Sequence, residues 1–422
     1  MRAAAPAPTV ADRKFDLLSL GTFAALGLPD GMLGTAWPAM RHSFGAPVGD
    51  LGLILLFGTI GSVAVAAVVG RLIRRLGAAA VLAIAGSCAA LAFIGYAAAP
   101  GLWLVLSVGP LTGVAAGMMD GALNTVVALT GRPRLLNLLH GFYGVGSAIG
   151  PLVVTAAILA GSWRPAYLLL AALDVVAACC WAVYRRNVPT PAAALAADGA
   201  AGGAGGAGGA GPADATDEPT RGWSRRRVVA VLTLGLVVFF VYTGLEVSAG
   251  QWETSYIRGH LGLSASAAGL AAFGYWGALT AVRIGLALAP RPVPPQAVVR
   301  WGTAVTVLGA AVIWWQPGTV PTVLGFVVLG AALAGVFPAL ISLTPVRLGE
   351  RSAERVISWQ VGAAAAGGAG LSALIGLLIG ATGLAALGPA VTVLAVTLVV
   401  TELILTHLAP IPHPASPGRS PG

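Results

Sequence analysis

Of 422 residues, 57% are hydrophobic and 9% are charged, where a soluble domain carries about 25% charged residues, and the mean hydropathy is +0.87. Long apolar runs divided by short basic loops make this a polytopic membrane chain and exclude a soluble globular domain. The net charge of +9 and the pI near 10.2 raise nucleic-acid binding as a class, but the basic residues flank apolar runs, where they set orientation and form no binding patch.

Twelve spans are predicted. Six cover about 17–40, 49–70, 78–98, 102–130, 136–160 and 164–184, and six cover about 227–256, 265–289, 297–316, 320–346, 354–381 and 384–408. The first span carries Asp30 inside Gly27-Leu28-Pro29-Asp30-Gly31, where Pro29 and the glycines are expected to loosen the helix. A carboxylate at that depth costs at least about 2.5 kcal/mol, so it has to be neutralised or used. Its competing reading is a kink residue capped by local backbone.

The fourth span places Asp120 one turn before Asn124 on the same helical face. An acid and an amide so spaced can present a proton site beside a hydrogen-bonding group for a polyol. The fifth span brings His140, which can titrate near neutral pH, and Tyr143. A helix-end cap is the alternative for His140. The same span holds Gly146-x-x-x-Gly150-Pro151, a spacing common wherever membrane helices pack closely. Asp174 in the sixth span and Glu402 in the twelfth are further acids at membrane depth.

Between the sixth and seventh spans lies a Gly/Ala tract, and 189–222 is expected to be a flexible tether. It separates an N-terminal six-helix unit, 1–188, from a C-terminal one, 223–410, with a disordered tail over 411–422. The seventh span carries Glu246, Gln251 and Trp252. Glu246 can bind a proton or a hydroxyl, or hold the two halves together. Trp37, Trp252, Gln251 and Tyr143 are candidates to face a sugar ring and its hydroxyls, with interfacial anchoring as the alternative for both tryptophans. In the eighth span Arg283 reads as a snorkelling or gate residue.

An internal repeat relates the halves. Asp30 precedes Trp37 by seven residues and Glu246 precedes Trp252 by six. His140 precedes Gly150 by ten, as Gln360 precedes Gly370. Gly117-x-x-Asp120-x-x-x-Asn124 is echoed by Gly335-x-x-Pro338-x-x-x-Ser342. Arg71, Arg74, Arg75, Arg132, Arg134, Arg225, Arg226, Arg227, Arg347, Arg351 and Arg355 fall on one face, whereas the opposite loops carry only Arg41, Arg164 and Arg258. The positive-inside rule then makes both termini and the linker cytoplasmic.

No phosphate loop of the Gly-x-x-x-x-Gly-Lys-Ser/Thr type occurs, and Cys88, Cys179 and Cys180 lie in apolar runs without metal spacing. No enzyme activity, cofactor or metal site is expected.

Twelve spans in two halves, with Gly70-Arg71-Leu72-Ile73-Arg74-Arg75-Leu76-Gly77 between the second and third, resemble the major facilitator superfamily. Arg74 stands where that loop motif usually carries aspartate. Asp30, the run Gly117 to Asn124, Leu136-Asn137-Leu138-Leu139-His140, Gly244-Leu245-Glu246 with Gln251-Trp252, and Trp276 to Thr280 with Arg283 are more specifically similar to the fucose permease-like sugar:proton symporters. That family generally has glutamate and glutamine where Asp120 and His140 stand here. The resemblance implies an all-α membrane fold of two pseudo-symmetric six-helix bundles and a monomeric, multi-pass transporter of the cell membrane. It implies proton coupling through Asp30, Asp120 and Glu246. It also implies solute contacts through Asn124, His140, Tyr143, Gln251, Trp252, Gln360 and Trp37, with Arg283, Arg74 and Arg75 as gate or structural residues. For Asp174 and Glu402 it implies structural or peripheral roles. Its partners would be a small solute, protons and lipid. Proton-driven efflux of drugs or metabolites is the alternative function, and a non-transporting membrane sensor or scaffold is a third reading.

Overall fold

The computed structural model describes residues 10–129, 133–185, 223–291 and 293–410. The expected linker over 189–222 and tail over 411–422 lie outside them, as does Arg132. Among the described residues all regular structure is helical, and twelve helical spans are long and apolar enough to cross a membrane.

In chain order, α1 is Val10–Phe44, α2 Leu51–Ala66, α3 Val69–Leu76, α4 Ala78–Ala98, α5 Leu102–Leu129, α6 Pro133–Leu159 and α7 Arg164–Tyr184. The second half has α8 Arg225–Gly259, α9 Ala265–Leu288, α10 Pro295–Trp315, α11 Thr319–Leu333, α12 Val336–Leu348, α13 Glu350–Thr382 and α14 Leu387–Leu408. Two predicted spans are each divided. The run expected as one helix over 49–70 breaks after Ala66, and the basic segment forms the separate amphipathic α3, on which Arg74 and Arg75 are exposed. The run over 320–346 breaks at Ala334–Gly335.

The helix is not interrupted where Pro29 was expected to loosen it, and α1 runs as one helix through Pro29 and Pro38. The glycines around it serve another purpose. A methyl group on Gly31 would lie 1.9 Å from the Ser147 carbonyl oxygen, and one on Gly146 would lie 2.0 Å from that of Ala24. Gly27, Gly31, Gly146 and Gly150 thus bring the backbones of α1 and α6 into direct contact, as small residues do where apolar burial gives no driving force. The second half repeats this arrangement between α8 and α13, where a methyl on Gly367 would lie 1.9 Å from the Phe240 carbonyl oxygen.

The halves meet at the end of the bundle opposite that from which α1 starts. Gly34 abuts Gln251, Gly49 abuts Gly376, Gly52 abuts Ala373, and the Thr254 hydroxyl donates to that of Thr35 at 3.3 Å. Farther along, Thr155 and Thr280 seat α6 against α9 at Gly269 and Gly144.

The glycine contacts set a sharp expectation. Gly31→Ala should lower stability by about 1–3 kcal/mol through overpacking. Gly21→Ala, where nothing lies within 4 Å, should cost nothing. Melting of the purified protein in detergent checks both, and equal melting points would refute the packing argument.

Candidate functional site

Three polar clusters stand between the halves. On α1 and α6, the Tyr143 hydroxyl donates to the Asp30 carboxylate. Asp30 lies deep among protein atoms, yet its side chain is open to a cavity. Its backbone carbonyl accepts from Gln251 Nε2 of the other half at 2.8 Å. On α5 and α6, Asn124 Nδ2 donates to Asp120 Oδ1 at 2.9 Å, which realises the one-turn spacing of the sequence, and His140 is close enough to Asp120 for their charges to couple. Asp120 and His140 are both exposed, and the His140 ring meets Phe23 edge-on at 5.7 Å.

The third cluster is built on α8 and α9. The Tyr242 hydroxyl donates to the Glu246 carboxylate and reaches the Leu333 carbonyl oxygen at 2.9 Å. Arg283 stands 4.0 Å from Glu246 and donates from Nε to the Ala334 carbonyl oxygen at 3.0 Å. The break between α11 and α12 explains both anchors, because a helix that stops leaves its last carbonyls without intrahelical donors. Arg283 also couples to Tyr143 and His140 of the first half. It therefore sits among three of the expected site residues and forms an ion pair within the protein. Snorkelling is not its role in this conformation.

Other expected contacts are placed elsewhere. Trp37 is 0% exposed, and its Nε1 donates to the Val48 carbonyl at 2.8 Å. Trp252 is equally enclosed, with Nε1 donating to the backbone and hydroxyl oxygens of Ser372 at 3.1 Å. Neither ring anchors at an interface or faces open space, since each indole N–H has its partner in the packing. Gln360, the repeat counterpart of His140, is 4% exposed and accepts from Thr344 Oγ1 at 2.9 Å inside the C-terminal half. Gln251 is buried in the contact between halves. Arg74 and Arg75 form no ion pair with another described residue, so no gate contact is seen for them.

Glu402 is structural as expected, paired with buried Arg347 at 2.8 Å. Of the two roles expected for Asp174 the peripheral one is not seen, since the residue is buried and lines a cavity of about 240 Å³ in the first half that also includes Asp30. Tyr242, Tyr275 and Glu253 escaped sequence reasoning altogether. Glu253 is 0% exposed, and neither carboxylate oxygen has a hydrogen-bond partner among the described residues. Its signal was available, since it follows Glu246 by two helical turns and shares its face. Tyr275, whose hydroxyl donates to the Glu246 backbone carbonyl at 2.7 Å, had no such signal.

A match to the Major Facilitator Superfamily runs over residues 18–373. The chain belongs to the Major Facilitator Superfamily. No curated protein matches it. Similar solved structures include the D-xylose–proton symporter (14% identity, TM-score 0.71, covering 94% of this chain and 98% of that one). The nucleoside transporter NupG is similar at 14% identity and TM-score 0.67, covering 95% and 99%. The xylose transporter XylE from E. coli, in an inward-open conformation, is similar at 12% identity and TM-score 0.71, covering 96% and 97%. At such identities the likeness establishes the fold alone, while the family match makes the chain a multi-pass membrane transporter and leaves the solute open.

The third cluster yields a direct check. In a double-mutant cycle of Arg283→Met and Glu246→Gln, read by melting in detergent, the two changes should be non-additive by about 0.5–3 kcal/mol. Strict additivity would show that the pair does not interact.

Proposed function

We propose that this chain is a secondary active transporter of the fucose permease-like branch, moving a small polar solute of the sugar class with protons by alternating access. The observation that carries this reading is the meeting of Asp30 with Tyr143, and of Asp120 with Asn124 and His140, opposite Glu246, Tyr242 and Arg283 of the other half. Intramembrane acids that face a cleft are sites by default. Here each of the three has a hydroxyl, amide or guanidinium partner that can exchange for a solute hydroxyl.

In this reading Asp120 and Asp30 take up and release the coupled proton, Glu246 holds the arginine that links the halves, and Asn124, His140 and Tyr143 contact the solute. The two six-helix units, 1–188 and 223–410, rock about the cleft with 189–222 as their tether. Both termini face the cytoplasm of the cell membrane, and the monomer is the working unit. The contacts at Gly34, Gly49 and Gly52 then close the outer side, so the state described here opens inward.

Uptake of radiolabelled neutral sugars into proteoliposomes under an imposed pH gradient tests the reading. Asp120→Asn should abolish gradient-driven accumulation while counterflow exchange persists. Full accumulation by the variant would overturn the coupling role.

One observation favours a second reading, proton-driven efflux of drugs or metabolites. The cavity beside Asp30 is walled mainly by apolar side chains, among them Leu26, Leu33, Ile54, Leu55 and Met119. Resistance to apolar toxins on overexpression, without sugar uptake, would select it.

A further inference from the structure

The cavity of about 240 Å³ inside the first half is lined from α1, α2, α4, α5 and α7. Its volume lies just below the roughly 300–1,000 Å³ of typical small-molecule pockets. Two features of its wall stand together. Asp174, only 4% exposed, lines it and has no hydrogen bond or ion pair with another described residue. Phe93, Tyr96 and Tyr167 form an aromatic cluster in the same wall, with ring centroids 5.4–6.1 Å apart.

The charge balance of this wall is one-sided. Asp174 and Asp30 are both in it, and no lysine, arginine or histidine is among the described residues that line it. A carboxylate buried without a partner is costly, and in a largely apolar cavity a proton or a cation compensates it. Aromatic faces add their own attraction for a positive charge. An inorganic cation would need about six oxygen ligands, whereas most of this wall is hydrocarbon. An ammonium group on an apolar body satisfies both parts of the chamber at once.

We infer that this cavity is a binding site for a small organic cation, a primary amine with a compact aliphatic or aromatic body. Its ammonium would pair with Asp174 and its body would lie against Phe93, Tyr96, Tyr167 and Met119. Asp30 supplies the second negative charge of the chamber while keeping Tyr143 as its hydrogen-bond partner. The inference does not depend on proton-coupled transport, because binding is measured without flux, and either reading can fail while the other stands.

The test compares benzylamine and cyclohexylamine with benzyl alcohol and cyclohexanol, their neutral counterparts, on the purified full-length protein at neutral pH. Thermal stabilisation and calorimetric titration are the readouts. Both amines should bind and raise the melting temperature, and the alcohols should do neither. Asp174→Asn should weaken amine binding at least about tenfold, which is about 1.4 kcal/mol. Ala116→Leu, which fills the chamber without altering either acid, should weaken it comparably. Absence of amine binding, equal effects of amines and alcohols, or unchanged amine affinity in Asp174→Asn would each overturn the assignment.

Discussion

Every polar group placed at membrane depth has to find its partner inside the protein, because lipid offers none. This requirement organises the middle of the molecule. The break between α11 and α12 frees two carbonyls, and these are the ones that hold Tyr242 and Arg283. With both anchored, Glu246 is fixed between a hydroxyl and a guanidinium. Arg283 in turn lies within electrostatic range of Tyr143, which carries Asp30. A helix break that looks like a defect in α11 thus sets the electrostatics of both halves. Among the described residues the carboxyls of Glu253 and Asp174 depart from that requirement, with no hydrogen-bond partner from the protein. They mark the places where a proton or a ligand has to supply what the protein does not.

Close backbone approach is the second half of the design. Glycine in α1 and α6, and again in α8 and α13, lets pairs of helices touch without side chains between them. The same device operates where the halves meet, at Gly34, Gly49 and Gly52. An interface held by surface contact of small residues buries little that resists separation, whereas the paired charges of the middle stay within reach of both halves. That division suits the proposed rocking of the two bundles. The buried Arg347–Glu402 pair belongs to neither task and braces α12 against α14 within one half.

Much of this was legible in the amino-acid order. Membrane residence, twelve spans and the acids Asp30, Asp120 and Glu246 follow from hydropathy and from the expense of burying charge, both local properties of the chain. The contact of Asn124 with Asp120 follows from helical spacing alone. What sequence could not decide was which way a side chain turns once helices pack. Trp37 and Trp252 carry an amphipathic ring suited equally to an interface, a sugar or a core, and only the neighbouring Val48 and Ser372 carbonyls settle the choice in this conformation. Gln360 followed the repeat in position but not in environment. Its counterpart His140 is exposed, while Gln360 is shut inside its own bundle by Thr344.

Asp174 makes the distinction most plainly. As a letter in an apolar run it says only that a carboxyl is buried. That it faces an aromatic chamber shared with Asp30, with no basic group in the wall, depends on five helices brought together from across 25–174. The opening run from 17 to 40 shows the same division. Its chain order determined a membrane helix with an acid near its middle. Tertiary structure decided what surrounds that acid, because α6 packs glycine to glycine against the same turns, the helix continues through Pro29, and Tyr143 occupies the carboxylate.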